Sequence, residues 1–179
     1  MVGLPNDNSL LPVMREIEAQ SDRGCGIVAA AFIDDTLTEA LKSRLRVQTR
    51  IEAKTFQSLT RIAGPLGAFS SKIELGLLIG VYRQEIHRDL HRVRDIRNAF
   101  AHRKELRDFK TQNIKDMCDA FWINRNLFFV DTHASHPIPK AARGRFVHAV
   151  KLLLGHLQSS IQMPRIPPKA VWAGQIEPD

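Results

Sequence analysis

The chain has 179 residues, 44% of them hydrophobic and 25% charged, which is the balance of a globular domain with room for a sizeable core. Its 26 Lys and Arg against 19 Asp and Glu give a net charge of +7, an argument about partners rather than fold. No apolar run approaches the roughly 18 residues of a membrane span, and no basic start precedes an apolar block as in a secretory signal. Cys25 and Cys118 are far apart and outside any Cys-x-x-Cys motif, so they read as core residues of a reducing compartment, and a cytoplasmic protein is expected.

Helical patterning runs the length of the chain. A short helix is expected over about 9–20, capped by Ser9, with Pro12 tolerated in its first turn. A long one follows over about 21–47, capped by Ser21, with Ile27, Ala30, Ala31, Leu37, Leu41 and Leu45 recurring at three and four. "TRIEAKTFQSLTRIAG" places its apolar residues less regularly and predicts a broken helix ending near Gly64 and Pro65. In "FSSKIELGLLIGVY", Ser70 or Ser71 with Glu74 reads as a capping box, and Gly76 and Gly80 invite close approach by another helix. "QEIHRDLHRVRDIRNAFAH" is the clearest amphipathic pattern, through Ile86, Leu90, Val93, Ile96 and Phe100. Thr111 or Asn113 caps "IKDMCDAFWI", a short strand is conceivable at 127–130, and a last helix covers about 140–161. The fold expected is an all-α, single-domain multi-helix bundle with no substantial sheet. Its helical core spans about 9–161, and 162–179 form a Pro-rich tail in which Trp172 is a candidate anchor.

Chemistry concentrates in "RDIRNAFAHR", residues 94–103. In a regular helix His87, His91, Asp95, Asn98 and His102 make one polar stripe. His87, His91 and Asp95 have a spacing that suits a metal, but they lack the Glu of a zincin motif, so no metal is favoured. Arg97 falls at the edge of the apolar face, about 140° from His102 on a straight helix. Glu74 stands at the edge of the preceding apolar stripe, and a buried Glu74–Arg97 ion pair is expected to join the two helices. No Gly-x-Ser-x-Gly and no phosphate-binding glycine loop occurs, so no cofactor is expected. Residues 83–107 hold eight basic against four acidic side chains, either a nucleic-acid footprint or a solvated face of local pairs such as Asp89 with Arg92.

Three blocks together, "FSSKIELGLLIGVY", "LHRVRDIRNAFAH" and "RGRFVHAVKLLLGHL", resemble the mannitol operon repressor family over roughly 21–161. The resemblance implies an all-helical bacterial regulator of sugar-alcohol uptake without a recognised DNA-binding module. The first reading is therefore a non-enzymatic repressor that binds a protein or DNA. For direct DNA contact the candidates are Arg83, Arg88, Arg92 and Arg103, acting on phosphates. The alternative is a ribonuclease or nucleotide-binding homodimer. Arg97, Asn98 and His102 resemble the motif of HEPN ribonucleases, which implies His as acid or base and Arg against phosphorane charge. A third reading is a dimeric scaffold with a small-molecule pocket beside Gly76 and Gly80.

Overall fold

The computed structural model describes residues 10–101, 108–126 and 137–162. Along them run α1 (Leu11–Ala19), α2 (Asp22–Arg44), α3 (Arg50–Thr60), α4 (Phe69–Leu78), α5 (Gln84–Ala101), α6 (Gln112–Asp119) and α7 (Ala142–Gln162). The architecture is all-α, with no strand among the described residues. The strand considered at 127–130, Ser9, the tail beyond 162 and Trp172 lie outside those residues.

α2 is the axis of the bundle and packs against α1, α4, α5 and α7. Its inward face grades from small to large, from Cys25, Ala29 and Ala30 to Ile33, Leu37 and Leu41. The small end lets α5 come close. A Cβ on Gly26 would sit 2.4 Å from the Phe100 ring, so only hydrogen fits there. Cys25 and Cys118 are fully buried as expected, and burial pushes their thiols up to about 11 and about 12, which leaves them protonated and inert at neutral pH.

The helix ends follow local chemistry. The Ser21 hydroxyl accepts from the Gly24 amide at 3.2 Å and caps α2. Thr49 and Glu52 form a complete capping box, so α3 is an unbroken helix rather than the broken one expected. Phe56 is its one buried residue, while Ile51 and Leu59 face solvent. α4 starts after Ala68, so Ser70 and Ser71 lie inside the first turn and the anticipated capping box does not form. α4 stops at Gly80 (φ 69°), where the Gly80 amide donates to Leu77 O and the Val81 amide to Gly76 O. That is a Schellman ending, which needs a left-handed residue that glycine adopts without strain. Gly76 admits no helix; its missing Cβ makes room for the Tyr82 ring, whose hydroxyl donates to Ile73 O at 2.7 Å. The two glycines are thus consumed by the α4–α5 turn.

Polar pins join the helices. Arg143 of α7 donates to Asp22 Oδ1 at 2.7 Å and to the carbonyls of Glu18 and Gln20, which locks the α1–α2 corner to α7. The other Asp22 oxygen accepts from the Phe109 amide. Lys72, 6% exposed, reaches Asp34 at 2.8 Å and donates to Thr38 Oγ1, fixing α4 on α2. Asp89 of α5 is fully buried and accepts from the amides of Trp122 and Ile123 and from Arg92.

His156 on α7 is half-buried, and its shielded Nε2 finds no hydrogen-bond partner among the described residues. Burial disfavours the imidazolium and lowers the His156 pKa. The unfolded chain then binds this proton more tightly than the folded one. The stability is fully present above the ordinary His value of about 6.5 and is lost as pH falls through the lower folded value. We expect urea midpoints to drop between neutral and mildly acid pH, and His156→Leu to flatten that dependence. An unchanged slope in the variant would assign the dependence to other groups.

Candidate functional site

α2, the start of α4 and the distal half of α5 enclose a cleft of about 420 Å³. Ile27, Ala30, Ala31 and Asp34 of α2 line one side, Gly67 to Ser70 another, and Arg94, Arg97 and Asn98 the third. Arg97 is exposed and donates to Asn98 Oδ1 at 3.0 Å; Arg94 grips Asp95 Oδ1 at 2.8 and 3.1 Å. The first turn of α4 ends the opposite wall with no side-chain cap. Arg94 is paired with Asp95, and the Asp34 carboxylate, paired with Lys72, shares the cleft, so its lining is of mixed charge, and Arg97 is a guanidinium there with no acidic partner among the described residues. His102 and Arg103 lie outside the described residues; Arg97 and Asn98 line the cleft.

The expected Glu74–Arg97 pair does not form. The Schellman turn folds α4 back along α5, which sets Glu74 opposite His87 and His91. Arg97 is six residues past His91, about 9 Å farther along the helix at ~1.5 Å per residue. Glu74 Oε2 instead meets His87 Nε2 at 3.1 Å, and Oε1 meets His91 Nε2 at 2.9 Å. The two imidazole nitrogens stand 3.2 Å apart. The hydrogen bond with His87 lowers the Glu74 pKa against the upward push of desolvation, and His91 adds to it. Asp95, the third member of the stripe considered for a metal, is turned away onto Arg94; the third ligand-type group comes from α4.

The basic candidates separate. Arg83 and Arg88 are exposed and make no hydrogen bond or ion pair among the described residues. Arg92 is committed to the buried Asp89 carboxylate, and Arg103 is outside the description. Sequence reasoning had the Asp89–Arg92 pair but placed it on the surface. The missed signal was register: position 89 is three past Ile86 and four before Val93, on the apolar face itself. A second concavity of about 650 Å³ lies between α1 and α7, with Leu10, Leu11, Met14 and Val147 in it and Arg15 and Lys151 at its edge.

No protein-family model and no curated protein sequence matches the chain. Among solved structures, the X-ray structure of the MtlR–HPr complex from Escherichia coli is similar at 17% sequence identity, covering 85% of this chain and 97% of that chain with a TM-score of 0.65. At that identity the likeness is one of fold: the chain has an MtlR-like fold.

Proposed function

We propose that the chain is a transcriptional regulator of the mannitol operon repressor kind, acting by binding another protein rather than by catalysis. The observation that carries the reading is the shared fold over 97% of a chain seen in complex with HPr. Three features support it. The buried thiols are protonated at neutral pH. Ile51, Leu59, Ile62 and Leu78 stay exposed around α3 and the end of α4, apolar surface of the kind that partners cover. Of the four basic candidates for DNA, two are uncommitted among the described residues, a footprint that supports only weak, salt-labile contact.

The test is calorimetric titration of the purified chain with HPr, alongside a gel-shift series across salt. Saturable one-to-one binding of HPr, with any DNA shift lost as salt rises, is the expected result. No heat with HPr and a sequence-specific shift that survives physiological salt would make the chain a direct DNA binder instead. One observation favours a second reading, a ribonuclease or nucleotide-binding dimer: Arg97 is exposed at a cleft rather than buried. RNA cleavage that disappears in Arg97→Ala would replace the first reading with this one.

A further inference from the structure

The cluster formed by Glu74, His87 and His91 lies outside the Arg97 cleft. An ionised carboxylate only accepts, and an imidazole nitrogen either carries hydrogen or offers a lone pair. With hydrogen on both Nε2 atoms, each serves its own Glu74 oxygen at 3.1 and 2.9 Å, and the two nitrogens then lie side by side at 3.2 Å with no attraction between them. With lone pairs on both, the same convergence of two nitrogens and a carboxylate is a ligand set for a cation.

The spacing fits such an ion. The ligand atoms lie within 4.8 Å of one another. Neighbouring ligands of a tetrahedral zinc at ~2.0–2.1 Å are about 3.3 Å apart, close to the contacts seen. His87 and His91 are four apart on one helix, the spacing that aims two imidazoles at one ion, and their rings are nearly perpendicular at 74°. Glu74 completes the set from the neighbouring helix. The side chains are 17%, 22% and 57% exposed, so an ion can enter from solvent and keep a water as fourth ligand.

We propose that Glu74, His87 and His91 form a binding site for one divalent transition-metal ion of the zinc class. Two imidazole nitrogens with one carboxylate oxygen suit Zn2+ better than Mg2+ or Ca2+, which take oxygen sets. The bound ion would staple α4 to α5 beside their turn.

The experiment uses the full chain without an affinity tag, stripped with a chelator and titrated with Zn2+ against a chromophoric competitor. The expected result is one ion per chain and a rise in Tm with metal. Co2+ should bind with the visible bands of a four-coordinate ion. Glu74→Gln and His91→Ala should each weaken binding at least tenfold while far-UV circular dichroism stays that of the wild type; Glu74 is exposed enough that its variant tests the site even if His91→Ala fails to fold. No uptake by the wild type, or uptake by Glu74→Gln equal to the wild type, overturns the proposal.

Discussion

Asp89→Ala is expected to destabilise the fold by about 3–5 kcal/mol, read as a lower urea midpoint at unchanged slope. The carboxylate is the hub of a joint between α5 and the segment after α6. It takes the Trp122 amide at 3.0 Å, the Ile123 amide at 2.8 Å and Arg92 at 2.7 Å, with no exposed surface of its own. Truncation strips the acceptor from a buried amide at Ile123 and this acceptor from Trp122, at about 1–3 kcal/mol for each group left unsatisfied. It also leaves the Arg92 charge without its counter-ion, although that side chain is 28% exposed and water takes up part of the loss. Asp89→Asn keeps one acceptor and turns an NH2 toward the other amide, so it should fall between wild type and alanine. Burial pushes the Asp89 pKa up while the two amides and Arg92 pull it back. The folded chain thus holds this proton more tightly than the unfolded chain, and acid does not undo the joint through Asp89. A midpoint within experimental error of the wild type in Asp89→Ala would show that the joint is held by packing alone.

Phe146→Ala is the second large effect, about 3–5 kcal/mol from lost burial and the cavity left behind. Phe146 is fully buried, with its ring 5.3 Å from Phe109 and 6.3 Å from Phe121, and Phe109 in turn lies 5.1 Å from Phe100. These four rings come from α5, the two flanks of α6 and α7, so the same joint that Asp89 pins by charge is filled by aromatic volume. Phe146→Leu, which keeps most of that volume, should cost clearly less. Equal losses for leucine and alanine would mean the site collapses around either residue.

The all-α pattern was legible because 3.6-residue periodicity is local, and α2, α5 and α7 announce themselves through their own apolar spacing. The irregular spacing of α3 misled for a physical reason: its Ile51 and Leu59 cover nothing, so they carry no core register. What sequence could not supply was partnership across distance. The amides that occupy Asp89 are 33 and 34 residues away, and Asp22 and Arg143 are 121 apart. Glu74 shows the intermediate case. Its role as a link between α4 and α5 was read from its place at an apolar edge, but its partner was misassigned because the turn length decides which turn of α5 it faces. A five-residue connection puts His87 and His91 there, and both were already marked as a helical pair.

The contact of Gly26 with the Phe100 ring has a further consequence. Phe100 follows Arg97 by three residues and Asn98 by two on the same helix, so the depth to which its ring settles on α2 sets how far that wall of the cleft stands from α2. One hydrogen atom at position 26 thereby acts as the spacer of that cleft. The width of the opening is thus encoded in the backbone of α2, at a residue that does not itself line the cleft.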